Sequence, residues 1–198
     1  MKKLLLLFIL FVSLNCFSQN SIWLEHGKNT LAVIELNSGG DNHYNYLYLE
    51  NELKDNNTLA SYLLVSRDQK FWKAPIYIHG EFRSYIGKEI LTDNIYLIGP
   101  MFELTSGKLG YINLQTMYRY DGRNNYQVSL LGQFKYKRFL YDAYIDSYGT
   151  KKFQFESENR FFFKIIDPIS IGANFFVKLN VEKSGIDIKP MGLIRIDI

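Results

Sequence analysis

One thiol, Cys16, is the only cysteine in 198 residues. An intramolecular disulfide framework and a cysteine-based metal site are therefore excluded. Prolines number four and histidines three, so the chain has no proline-rich linker and no histidine-rich metal tract. It also lacks an excess of either charge. Lys and Arg total 23 against 20 Asp and Glu, a formal +3, and setting aside Lys2 and Lys3 in a segment expected to be removed leaves +1. That is no footprint for a nucleic acid polymer. Beyond residue 18 no window approaches the ~18 consecutive apolar residues of a spanning helix, and no apolar stripe recurs at helical period. What is abundant is aromatic: 15 Tyr, 15 Phe and 2 Trp make 16% of the chain. Rings of this kind favour half-buried pleated surfaces, which leans the composition towards an all-β fold.

The opening MKKLLLLFILFVSLNCFS places two lysines before a largely apolar run from Leu4 to Leu14 and ends on small Ser18. This is the order of a secretory signal peptide, so residues 1–18 are expected to be removed and residues 19–198 to form one exported domain. A lipoprotein signal acylated at Cys16 is the competing reading. Ser13 and Asn15 stand where such a signal wants leucine and a small residue.

Apolar and polar residues then alternate with period two, which requires an apolar medium on one face of each strand and a polar one on the other. The pattern predicts strands over 110–121, 125–136, 139–146, 153–164, 169–180 and 194–198, with 75–84 upstream. Less regular candidates are 20–26, 30–38, 43–52, 58–67 and 92–104. The sum is twelve, or ten if the first segments merge. Pro100 falls inside 92–104 and Pro190 in the approach to the last strand; each removes a ladder donor and is read as a bulge or early strand end.

Alternation alone allows a soluble barrel with an apolar inside or a membrane barrel with an apolar outside. The aromatics favour the second. On the apolar faces Tyr118, Tyr120 and Tyr126 flank one turn and Phe134, Tyr136, Phe139 and Tyr141 the next, with Phe153 and Phe155 back at the first level. Val128, Leu130, Ala143 and Ile171 occupy strand middles. Two aromatic girdles bracketing a hydrocarbon band would have this distribution. Short connections at YKR (136–138) and Asp167-Pro168 alternate with longer polar ones at 121–125, 148–152 and 182–185. An up-and-down antiparallel barrel with both termini periplasmic would produce that alternation. The final Ile198 departs from the terminal aromatic of many outer-membrane barrels.

The segments LAVIELNSGG (31–40), YLYLENELK (46–54), KFWKAPIYIHGEF (70–82) and LQTMYRY (114–120) resemble a family of Tsx-like outer-membrane proteins of unknown function. Those are related to nucleoside-specific channel-forming porins, small monomeric twelve-stranded barrels. The resemblance implies a monomer in outer-membrane lipid of a Gram-negative-type bacterium, passing a small solute such as a nucleoside. A non-conducting structural barrel and a soluble periplasmic ligand-binding barrel are the alternatives.

A nucleoside path needs rings for the base and polar groups for its edges and ribose. By parity the inward face carries Tyr77, His79, Glu81, Arg83, Tyr111, Arg119, Tyr144, Glu156, Arg160 and Phe176 as candidate solute contacts, beside Asp142, Tyr148, Glu158, Phe162 and Arg195. The bland alternative is that these groups simply satisfy one another in a narrow lumen. Enzymatic readings find little support. His26, His43 and His79 are the only histidines, and no serine stands beside His79 and Glu81 as a nucleophile. NSGGDNH (37–43) lacks a P-loop lysine, and Glu156 and Glu158 share a face without a sugar cleft. No catalytic residue, metal site or cofactor is expected.

Overall fold

The structure is a computed structural model; it describes residues 19–27, 30–40, 43–53, 60–71, 75–86, 92–149, 154–180 and 185–198. The expected signal segment, Cys16, Trp72 of the FWKAP motif and Phe153 lie outside the described residues. Twelve strands form: β1 (Gln19–His26), β2 (Thr30–Gly40), β3 (His43–Leu53), β4 (Ala60–Lys70), β5 (Ile76–Ile86), β6 (Thr92–Gly107), β7 (Gly110–Tyr120), β8 (Asn124–Tyr136), β9 (Phe139–Tyr148), β10 (Gln154–Ile166), β11 (Ile169–Asn180) and β12 (Gly185–Asp197). Each pairs antiparallel with its sequence neighbours, and β1 closes the barrel on β12. This is the expected up-and-down topology with twelve strands rather than ten.

Closure abolishes the open sheet edge and satisfies the backbone between strands, as a wall in hydrocarbon requires. Period two then sends every second side chain outward. The outside is apolar: Val128, Leu130, Ile171, Ile194 and Ile196 are exposed, as are Tyr118, Tyr126, Phe134, Phe139 and Phe163. The inside is polar: Gln115, Gln127, Ser129, Asp146 and Asn174 are buried. A water-soluble barrel would have the reverse arrangement, so this jacket is a lipid-facing surface.

The aromatic levels are present. Tyr118 packs edge-on against Tyr126 with ring centroids 6.2 Å apart at one end, while Phe139 meets Phe163 at 5.0 Å and Tyr141 meets Phe161 at 4.7 Å towards the other. They belong mainly to one side of the circumference, from Phe82 and Tyr96 on β5 and β6 round to β10. Across β11, β12 and β1 the exposed large apolar residues are Ile171, Ile186, Ile188, Ile194, Ile196, Ile22 and Leu24, joined by the single ring of Phe175.

Neither proline behaves as the sequence suggested. Pro100 lies within β6, paired with Ile78 of β5, and the ladder to β7 has its gap between Ile98 and Met101, where the missing donor would have pointed. Pro190 lies within β12, paired with Phe175, and its carbonyl oxygen lies close to Gly27, just past the end of β1. Among the described residues the ladder of β12 with β1 runs from Gly192 to Asp197, and Pro190 stands outside it. The final strand begins at Gly185, well before 194: Ile186 and Ile188 already carry the alternation that Pro190 and Gly192 interrupt in the sequence.

Gly99 marks a close approach between β6 and β7. A Cβ there would overlap the Thr116 carbonyl oxygen, so Gly99→Val must push the two strands apart. Overpacking of that kind costs ~1–3 kcal/mol. The variant is expected to show a smaller fraction of the compact, heat-modifiable band after refolding than the parent. Unchanged migration would mean the strands separate freely there.

Candidate functional site in the barrel lumen

All of the expected solute-contact residues face inward. The register links Tyr77, His79, Glu81 and Arg83 of β5 with Tyr111 and Arg119 of β7, Tyr144 of β9, Glu156 and Arg160 of β10 and Phe176 of β11 on one continuous inner surface. They do not form one cluster. Tyr77 and Tyr111 lie near the rim that holds the termini, Glu156 and Phe176 near the opposite rim, and the others occupy two charged groups between.

The first group is centred on β5. His79 sits with Nδ1 2.6 Å from Asp68 Oδ1 and Nε2 3.1 Å from Glu81 Oε2. Arg83 donates through Nε to Glu81, through one terminal nitrogen to Asp146 Oδ2 at 3.1 Å, and through the other to the Tyr144 hydroxyl. Asp146 and Tyr144 belong to β9, four strands away around the wall, so Arg83 bridges the lumen instead of lying along it. Asp146 also accepts from Ser129 Oγ, which accepts from Gln127 Nε2 at 3.0 Å; Gln127 Oε1 accepts from Arg119 at 2.8 Å. The Arg119 guanidinium lies 4.1 Å from the Tyr148 ring centroid and donates to Asp121 at 2.9 Å. A bonded chain thus runs from Asp68 near one rim to Asp121 at the other.

The second group is centred on Arg160. It donates to Glu158 Oε2 at 2.8 Å, lies 3.7 Å from Glu25 Oε1 and reaches the Tyr48 hydroxyl of β3 at 3.5 Å, five strands away. Its guanidinium is 5.0 Å from the Trp23 ring and 5.6 Å from that of Tyr48. Trp23 Nε1 donates to Glu25 at 2.8 Å, and Asn174 Nδ2 donates to both Glu25 and Glu158, at 3.1 and 2.7 Å. Arg195 packs 5.2 Å from the Phe162 ring, with Asp142 at 3.8 Å and Glu35 at 4.0 Å. Elsewhere Glu156 pairs with Lys178 and accepts from the Tyr148 hydroxyl, while Phe176 lies 5.8 Å from Lys189.

Such spans narrow the passage. Trp23 and Asp146, both inward, are each only 1% exposed. Buried charges of this kind persist only when paired and hydrogen-bonded, and Arg83 and Arg160 satisfy that condition across the lumen. The same contacts occupy rings that a nucleobase would need. Cations already lie over Tyr144, Tyr148, Phe162 and Phe176, whereas no cation contact is present at Tyr77 or Tyr111 among the described residues.

Sequence reasoning missed Trp23, Glu25, Tyr48 and Asn174 as members of a shared site. The strand β1 shows the available signal: Ser21, Trp23 and Glu25 oppose Ile22 and Leu24, and the lumen-facing tryptophan blurs the contrast. On β3, Tyr46 and Tyr48 face in while Leu47 and Leu49 face out, so both faces read as apolar.

No family model matches the chain, and no curated protein matches it. Among solved structures it resembles a KdgM porin with a TM-score of 0.60, covering 90% of this chain and 98% of that one at 8% identity. It also resembles a KdgM porin in complex with disordered oligogalacturonate, at TM-score 0.57, 91% and 98% coverage and 9% identity. At such identity the likeness is one of fold. Joined to the apolar jacket and polar interior, it makes this chain a closed twelve-stranded barrel of porin architecture, built to sit in an outer membrane.

Proposed function

We propose that the protein is an outer-membrane channel through which small polar solutes diffuse passively, narrowed at mid-height by side chains that cross the lumen. The observation that carries this reading is the inner surface itself: polar groups line it from Asp68 at one rim to Asp121 at the other, within a lipid-facing wall. Residues 1–18 act as the export signal, and the short connections at 108–109, 137–138 and 167–168 lie on the periplasmic side with both termini. The barrel works as a monomer. The Tsx-like resemblance supports nucleosides as the cargo, with Tyr77 and Tyr111 as the rings left for stacking.

Full-length protein, exported and extracted from membranes in detergent, should give discrete current steps in planar bilayers, and nucleosides should reduce them. A second reading, a non-conducting structural barrel, is favoured by the near-complete burial of Trp23 and Asp146. A correctly folded barrel that passes no current would establish it and end the channel reading.

A further inference from the structure

Each guanidinium that spans or braces the lumen is outnumbered by carboxylates. Arg83 lies between Glu81 and Asp146, Arg160 between Glu25 and Glu158, and Arg195 is approached by Glu35, Asp142 and Asp197. His79 is likewise held between Asp68 and the same Glu81. Around these side chains the inner wall therefore carries more carboxylates than cations.

A separate observation concerns groups without formal charge. The buried side-chain atoms that lack a hydrogen-bond partner among the described residues are Asn113 Oδ1, Gln115 Oε1 and Asn174 Oδ1. All three are carbonyl oxygens, and all three residues face inward. Gln115 is 2% exposed and Asn174 is fully buried, so bulk water does not supply their missing donors freely. Asn174 uses its amide nitrogen on Glu25 and Glu158, which leaves its oxygen beside the acidic group around Arg160. An interior short of donors and rich in acceptors favours a guest that brings positive charge or N–H groups.

We infer that the barrel is cation-selective, with the filter formed where Arg160 sits between Glu25 and Glu158 and where the amide oxygen of Asn174 stands in for part of a cation's hydration. This rests on the channel reading and adds the class of solute. Excess fixed charge of one sign between low-dielectric walls concentrates counter-ions, and carbonyl oxygens replace water around an ion that must shed some of it. The guanidinium groups set the width, while the carboxylates set the sign.

The test is the reversal potential of the full-length protein's channel in a planar bilayer under a KCl gradient. Potassium should be preferred over chloride by roughly tenfold or more, the scale expected when a charged cleft between low-dielectric walls focuses the field. Glu158→Gln should move the permeability ratio towards one, and Glu25→Gln should move it further. Because Glu25 is the more buried, folding of both variants is checked by heat-modifiable migration, and Glu158→Gln alone carries the comparison if Glu25→Gln does not fold. A current with chloride preferred, or a ratio unmoved in folded Glu158→Gln, overturns the cation filter and leaves the channel standing. No current from folded wild-type protein removes the channel and the filter together.

Discussion

Arg83→Ala is expected to be the most destabilising single change in the lumen and, at the same time, to widen it. The substitution strips Glu81 and Asp146 of their shared cation, 3.1 Å from Asp146 Oδ2, and removes the arm that reaches β9 from β5. Removing one partner of a buried pair costs ~3–5 kcal/mol, chiefly because the carboxylates left behind are uncompensated. Urea unfolding of vesicle-embedded protein should show the loss as a lower midpoint. Arg83→Ala/Asp146→Ala should recover part of it, since one orphaned charge is then absent. Single-channel conductance of Arg83→Ala should rise in the same preparations. If the midpoint falls but conductance is unaltered, Arg83 is a brace and the constriction lies elsewhere. If neither changes, the bridge across the lumen is not made in the membrane.

The outer wall offers the second large effect, through two adjacent leucines. Leu130 faces outward at the middle of β8, 37% exposed and paired with Leu114 and Ile145, whereas Leu131 faces inward beside Asn113 and Tyr144. Leu130→Arg places a charge against hydrocarbon at a cost of ~2–4 kcal/mol near mid-membrane. Leu131→Arg places the same charge among carboxylates that outnumber their cations. Folding yield into lipid vesicles, read by heat-modifiable migration, should drop sharply for Leu130→Arg and much less for Leu131→Arg. Equal losses, or the opposite order, would mean the two faces of the wall have been exchanged.

The barrel was legible in the sequence wherever its two faces met different media. Along β7 and β8, Leu114, Tyr118, Val128 and Leu130 oppose Gln115, Arg119, Gln127 and Ser129, and the pattern reported the strands and their two faces, while the aromatic rings indicated which face met lipid. It weakened on β3, where tyrosines line the lumen and leucines the lipid, and on β12, where Pro190 and Gly192 hid the first half of a strand. The candidate site was legible as a face but not as a site. Parity assigned Arg83 and Arg160 to the inside, yet that Arg83 meets Asp146 across four strands, or that Arg160 meets Tyr48 across five, depends on barrel radius and stagger. Those quantities belong to the closed ring and to no local stretch of chain. The count of twelve strands came from the alternation, while the nucleoside implication of the Tsx-like resemblance meets a lumen in which cations already cover several of the rings.

The two cross-lumen arginines bear on the shape of the barrel's cross-section. Arg83 ties β5 to β9 and Arg160 ties β10 to β3, so each joins strands that the ladder leaves four and five apart. A ring held only around its circumference can flatten into an oval under lateral pressure. Struts across its bore oppose that deformation, and here they are built from the same side chains that line the passage.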